Sequence, residues 1–206
     1  MIRVVIADDH AVVRKGLRQI LSAESDIEVA GEAANADELL RLVRKQRWDA
    51  VVLDITMPGK SGLEVLKELK QERPRLPVLI LTIHAEDQFG VRAMRAGALG
   101  YLTKEGAPTE LVRAVRKVVA GERYVSPSLA EAFATSSNAP VHQILSDREY
   151  EVMRFLASGK TATGVAKELK LSVKTISTYR SRILDKLRLK NTAELMKFAI
   201  RNRLVD

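Results

Sequence analysis

Five polar residues stand where short apolar runs end. Asp8 and Asp9 follow Val4-Val5-Ile6-Ala7, Asp54 follows Val51-Val52-Leu53, Thr82 closes Val78-Leu79-Ile80-Leu81, and Lys104 follows Tyr101-Leu102-Thr103. Asp54 is followed in turn by Thr56-Met57-Pro58-Gly59 and Gly62, so its carboxylate is set where a buried strand meets a turn. There it can serve as a nucleophile that accepts a phosphoryl group. Three crowded carboxylates repel one another unless a cation joins them, and hard oxygen ligands with room for water suit Mg²⁺. Thr82 and Lys104 would offer the phosphoryl oxygens a hydroxyl and a positive charge. Singly, each residue has an ordinary explanation: aspartates cap helices, threonines favour strands and lysines are solvated surface charges. Their coincidence at matching strand ends is what points to a phosphoacceptor.

That coincidence depends on the elements between them. Over the first 125 residues, short apolar runs alternate with amphipathic segments, the pattern of a parallel sheet with helices on both faces. Strands are expected near 4–7, 27–30, 51–54, 78–82 and 100–103. Helical spacing recurs between and after them: Val13, Leu17, Ile20 and Leu21; Leu39, Leu40 and Val43; Leu63, Leu66 and Leu69; Val91, Met94 and Arg95; Leu111, Val112, Val115 and Val119. Pro108 suits a first helical turn and Gly121 a helix stop. The expected fold is α/β, a doubly wound five-stranded parallel sheet. Such sheets gather ligands at the carboxyl ends of their strands, so all five polar residues fall on one rim.

Around residues 122–145 the composition changes to that of a linker. Ser126-Pro127 is expected to cap a short helix through Phe133, and residues 135–140 read as a flexible linker. Beyond Ser146 there is no strand signal. Ser146 with Glu149 and Asn191 with Glu194 are capping-box patterns, and Thr161 to Leu169 and Ser172 to Leu187 carry helical apolar stripes. The last two, joined through Lys170-Leu171-Ser172, look like a helix-turn-helix within a small all-α, four-helix domain. Lys174, Ser177, Thr178, Ser181 and Arg182 fall opposite the stripe of the second of these helices, where short hydroxyls flanked by cations suit base edges in a major groove. Thr175, Tyr179, Arg180 and Lys186 are better placed for the backbone or the core edge.

Charge agrees with this division. The net charge is +8. Residues 1–125 hold 20 Lys/Arg against 18 Asp/Glu, and residues 126–206 hold 14 against 8, so the surplus is concentrated where a polyanion would bind. With no cysteine, disulfides, thiolate metal sites and cysteine nucleophiles are excluded. No apolar run is long enough to span a bilayer and charge appears by Asp8, so no membrane association and a cytoplasmic location are expected.

Residues 1–121 resemble the receiver domains of two-component response regulators, through Asp8-Asp9-His10, Asp54 with Met57-Pro58-Gly59 and Gly62, Thr82, and Tyr101-Leu102-Thr103-Lys104. The resemblance implies a flavodoxin-like receiver in which a sensor histidine kinase phosphorylates Asp54. It further implies that Asp9, Asp54 and the Thr56 carbonyl hold Mg²⁺ with help from Asp8, and that Thr82 and Tyr101 form a switch pair. In that switch the Thr82 hydroxyl moves toward the phosphoryl group and the Tyr101 ring turns inward. Residues 144–206 resemble the LuxR-type helix-turn-helix of the NarL/FixJ regulators, through Leu145-Ser146-Asp147-Arg148-Glu149, Leu156-Ala157-Ser158-Gly159, Ser172-Val173-Lys174-Thr175-Ile176 and Lys186-Leu187. This implies a recognition helix over 172–187, a homodimer on promoter half-sites, and dimer contacts through Leu195, Met196 and Ala199. Residues 122–143 are then a linker.

One departure follows Thr82, where the family has a small residue and this chain has Ile83-His84. A β-branched side chain beside the acceptor is expected to slow phosphoryl transfer or hydrolysis. A hydrolase working through an aspartyl-phosphate would want a second carboxylate two residues after Asp54, and Thr56 stands there. No enzymatic role is expected beyond the receiver's own phosphorylation and dephosphorylation.

Overall fold

The computed structural model describes residues 1–135, 144–202 and 204–205. The chain divides into two units, Met1–Ser136 and Ser137–Asp206.

The first unit alternates strand and helix: β1 (Ile2–Ala7), α1 (Ala11–Ser22), β2 (Ile27–Ala33), α2 (Ala36–Lys45), β3 (Ala50–Leu53), α3 (Gly62–Glu72), β4 (Val78–Thr82), α4 (Glu86–Arg95), β5 (Gly100–Thr103), α5 (Ala107–Val119) and α6 (Pro127–Thr135). The strands form one parallel sheet in the order β2-β1-β3-β4-β5. β3 and β4 are buried along their whole length, which is why their sequences are continuous apolar runs rather than alternating ones. One face of the sheet packs Val4, Ile6, Val52, Leu79 and Leu81 against Leu17 and Leu21 of α1 and Leu111, Val115 and Val118 of α5. The register sets Ala7 beside Leu53 and Thr82 beside Thr103, so β1, β3, β4 and β5 finish close together.

Two expectations shift. The buried face of α4 consists of Phe89, Gly90, Ala93 and Met94, so the stripe read from Val91, Met94 and Arg95 is rotated and Arg95 is solvent-exposed. The expected short helix capped by Ser126 forms as α6, the Ser126 hydroxyl accepting the Leu129 N–H at 3.1 Å, but the stretch that leads to it is not linker, because Tyr124 bridges to Gly100. Residues 124–135 therefore belong to the first unit because they bury Leu129 and extend the edge of β5. Residues 136–140 of the expected flexible stretch lie outside the described residues.

The second unit holds α7 (Asp147–Ala157), α8 (Ala162–Glu168), α9 (Val173–Leu187) and α10 (Thr192–Arg201). Its helix starts are chemically defined. Ser146 and Glu149 make a complete capping box, and Thr161, Ser172 and Asn191 each accept a backbone N–H from the third residue on. Val152, Met153, Val165, Ile176, Ile183, Leu195 and Ala199 are wholly or almost wholly buried and make this unit's own core. No helix among the described residues is long and apolar enough to cross a membrane.

Candidate functional site

Asp54 follows β3 directly, its N–H held by the Ala7 carbonyl at 2.9 Å. Its side chain is 2 % exposed. One carboxylate oxygen pairs with Lys104 Nζ at 2.6 Å and the other accepts the Thr56 N–H at 3.3 Å. Lys104 also meets Asp8 at 2.6 Å, so one ammonium bridges two buried carboxylates. The turn that presents Asp54 returns tightly on itself. Gly62 N–H donates to the Ile55 carbonyl at 2.7 Å, and a Cβ on Gly62 would lie 2.0 Å from the Asp54 carbonyl oxygen. Only glycine lets α3 start so close to the acceptor.

Asp8, Asp9, His10 and Asp54 each offer a ligand atom, all within 4.8 Å of one another. Three of the four are carboxylates, the hard donor set a magnesium-sized cation takes. Burial pushes the Asp54 carboxyl up to about 6; Lys104 opposes this and Asp8 adds to it. Burial works against the Lys104 charge as well, but Asp54 and Asp8 outweigh it and hold its pKa above the ordinary lysine value. Thr82 is fully buried at the end of β4, and its hydroxyl accepts the His84 N–H at 3.4 Å. Tyr101 is turned inward, 1 % exposed, and its hydroxyl donates to the His84 carbonyl at 2.9 Å.

In the second unit, Lys174, Ser177, Thr178, Ser181 and Arg182 are solvent-exposed along α9. Ser177 and Thr178 donate to the carbonyls of Val173 and Lys174 at 3.0 Å, each thus bonded within its own helix. Thr175 is half-buried at the N-terminal turn, beside the Ser172 hydroxyl at 2.7 Å. Lys186 reaches back to Glu149 at 2.6 Å and ties α9 to the start of α7. Burial would raise the Glu149 carboxyl, but Lys186 and the Ser146 N–H hold it below the usual range.

Residues 4–116 match the family model of the response regulator receiver domain, and residues 143–199 that of the bacterial regulatory proteins of the luxR family. The chain is 37% identical over 211 residues to the response regulator GacA of Pseudomonas aeruginosa, covering 100% of this chain and 99% of the relative. The chain belongs to the NarL/FixJ family of response regulators. It is also 36% identical over 211 residues to the response regulator UvrY of Escherichia coli, covering 100% of this chain and 97% of that one. Among solved structures, RcsB from Salmonella enterica serovar Typhimurium, bound to promoter rprA in the presence of phosphomimetic BeF3⁻, aligns with a TM-score of 0.63 at 28% identity. That alignment covers 96% of this chain and 97% of RcsB. A LuxR-family two-component response regulator from Aurantimonas aligns with a TM-score of 0.60 at 39% identity, covering 64% of this chain and 94% of that one.

In this response regulator, then, Asp8, Asp9, Asp54 and Lys104 come together as one constellation. Two histidines stand beside them: His10 of the Asp8-Asp9-His10 motif, and His84, which with Ile83 is the departure after Thr82. His10 Nδ1 lies 2.7 Å from Asp9 and 3.3 Å from Asp8. His84 Nε2 lies 2.9 Å from the Thr56 hydroxyl, linking the loop after β3 to the loop after β4. His10 adjoins the acidic pair in sequence, a usable signal, whereas His84 and Thr56 are 28 residues apart and only the fold joins them. Ile83 is 64 % exposed, so its side chain points to solvent and the contact spanning the two loops is made by His84. On α10, Leu195 and Ala199 are fully buried in the domain core and Met196 is half-buried. Spaced four apart, Leu195 and Ala199 share the inward face, and neither offers a dimer contact as the domain stands. The large exposed hydrophobic side chain of α10 is Ile200, 59 % exposed.

Proposed function

We propose that this response regulator is switched by phosphorylation of Asp54 by a sensor histidine kinase, and that the switch controls dimerisation and sequence-specific binding to promoter DNA. The observation that carries the reading is the buried Asp54 carboxylate, paired with Lys104 and faced by Asp8 and Asp9. Asp9, Asp54 and the Thr56 carbonyl would hold Mg²⁺, assisted by Asp8; the cation supplies positive charge that neutralises and orients the phosphoryl oxygens. An Asp54 carboxylate oxygen attacks phosphorus, the P–N bond to the kinase imidazole breaks, and the electron pair leaves with that nitrogen, which takes up a proton. Lys104, already 2.6 Å from Asp54, offers its charge to a phosphoryl oxygen, and the Thr82 hydroxyl offers a hydrogen bond to another. Hydrolysis by water returns the carboxylate and releases inorganic phosphate.

Thr82 and Tyr101 form the switch pair of this mechanism. Withdrawal of the Thr82 hydroxyl toward the phosphoryl group favours the inward Tyr101 ring. The exposed face of α9 reads DNA: Lys174, Ser177, Thr178, Ser181 and Arg182 toward base edges and phosphates, with Thr175 and Lys186 at its margins. Two copies then occupy two half-sites. The RcsB structures include two dimers bound to two parallel DNAs, and the same use of the LuxR-type unit is proposed for this chain.

Incubation with acetyl phosphate and Mg²⁺ is expected to add one phosphoryl mass to the native chain and none to Asp54→Ala. DNA binding of the native chain should tighten with the donor, and that of Asp54→Ala should not respond while its fold is kept. An Asp54→Ala protein that still gained mass and affinity would remove the acceptor assignment.

A further inference from the structure

The stretch that follows α5 is built into the receiver unit at three points. Tyr124 N–H donates to the Leu99 carbonyl at 2.9 Å and its own carbonyl accepts the Tyr101 N–H at 2.9 Å, which lays one parallel bridge along the outer edge of β5. Ser126 joins Glu86, the first residue of α4, through a hydroxyl-to-carboxylate bond, and the same Ser126 oxygen caps α6. Leu129 is 4 % exposed and lies against Gly90, where a Cβ would come within 2.6 Å of one Leu129 methyl and 2.8 Å of the other. Gly90 is thus a seat cut into α4 for a side chain of α6.

Tyr101 touches both ends of this arrangement. Its backbone N–H holds Tyr124, and its hydroxyl donates to the carbonyls of His84 and Ala85, at 2.9 and 3.3 Å, immediately before Glu86. An inward ring therefore fixes the loop that presents Glu86 to Ser126. A ring turned outward gives up both carbonyl contacts and leaves Glu86 and the first turn of α4 less constrained. The structure shows the inward ring; an outward one would make Tyr101 a discrete element that both the phosphorylation site and this segment bias.

We propose that residues 124–135 form a strap that the inward Tyr101 ring locks onto the receiver through Glu86 and Gly90, so that phosphorylation tightens the strap and fixes where the chain leaves the receiver unit. This rests on the reading of Asp54 as phosphoacceptor and Tyr101 as its switch. The strap is the receiver's own output element, and α4 together with the β5 edge is its docking surface.

Hydrogen exchange by mass spectrometry tests it on the full chain, with and without acetyl phosphate and Mg²⁺, intact masses being taken from the same samples. Amides in 124–135 are expected to exchange about tenfold more slowly once the phosphoryl mass is present, within the usual range of coupling between two sites. Tyr101→Phe should abolish that difference. Gly90→Ala should speed strap exchange about fivefold by overfilling the Leu129 seat, although alanine strengthens α4 itself, and Leu129→Ala should loosen the strap without altering α4. A phosphorylated native chain whose strap exchanges as before, or a Tyr101→Phe chain that keeps the phosphorylation-dependent slowing, overturns the lock and leaves the phosphoacceptor reading standing. Strap exchange unaltered by both Gly90→Ala and Leu129→Ala overturns the seat. Absence of any added phosphoryl mass overturns the phosphoacceptor reading, and the lock falls with it.

Discussion

At Asp54, burial and the Asp8 charge act against the Lys104 charge, and the pH dependence of stability reads the balance. Its carboxyl is raised from the ordinary 3.8 to about 6, so across that interval the folded protein binds a proton that the unfolded chain has already released. Stability therefore falls as pH rises from about 4 to about 6 and stays reduced above that. In EDTA at pH 7, Asp54→Asn is expected to melt about 4 °C above the native protein, the shift of about 1 kcal/mol in a unit of this size, and the two should converge below pH 4. Thermal melts across that range check it; coincident melting at pH 7 would mean that Lys104 compensates the charge fully. Beside Asp54, the contact between His84 and Thr56 joins two loops at the acceptor, while Ile83 faces solvent. His84→Ala is expected to shorten the aspartyl-phosphate lifetime about fivefold, the effect of one hydrogen bond of about 1 kcal/mol, and Ile83→Ala to change it less. Decay of the phosphorylated species followed by intact mass would decide between them; a larger effect from Ile83→Ala would restore the side chain that the sequence pointed to.

At the scale of elements, helix starts carry much of the definition of the DNA-binding unit. α7 begins with the Ser146–Glu149 box, and Glu149 is also the residue that Lys186 of α9 reaches, so one helix terminus fixes both the first turn and the approach of α9. Removing the capping hydroxyl in Ser146→Ala is expected to destabilise this unit by about 1 kcal/mol. Urea unfolding followed on a probe in α7 measures it, and an unchanged midpoint would mean that Lys186 holds Glu149 without the cap. The same geometry explains why Lys186, although placed near the DNA face by sequence, is already engaged within its own domain.

For the whole molecule, the two units divide the chemistry: one holds a cluster of buried carboxylates, the other presents an exposed face of hydroxyls and cations. The basic surplus of residues 126–206 is what a polyanion partner would require. Lys174→Ala is expected to weaken binding across DNA sequences alike and to reduce the slope of log affinity against log salt by about 1. Titrations at several salt concentrations test this; a slope equal to that of the native chain would take Lys174 off the DNA backbone.

The sequence alone determined the alternation of strand and helix, the rim on which Asp8, Asp9, Asp54 and Lys104 meet, and the capped helices of the second unit. Apolar periodicity, turn residues and caps are local properties, and the carboxyl ends of parallel strands are forced together once the sheet forms. Tertiary structure alone decided what depends on contacts between distant residues. Nothing in Thr56 or His84 taken separately announces their hydrogen bond, since they are 28 residues apart with α3 and β4 between them. The inward face of α10, which takes Leu195 and Ala199 out of reach of a partner, is set by what the other helices leave uncovered. The short helix after α5 was legible from its Ser-Pro cap, but its attachment to the receiver was not, because that comes from a glycine in α4 and a carboxylate at that helix's start.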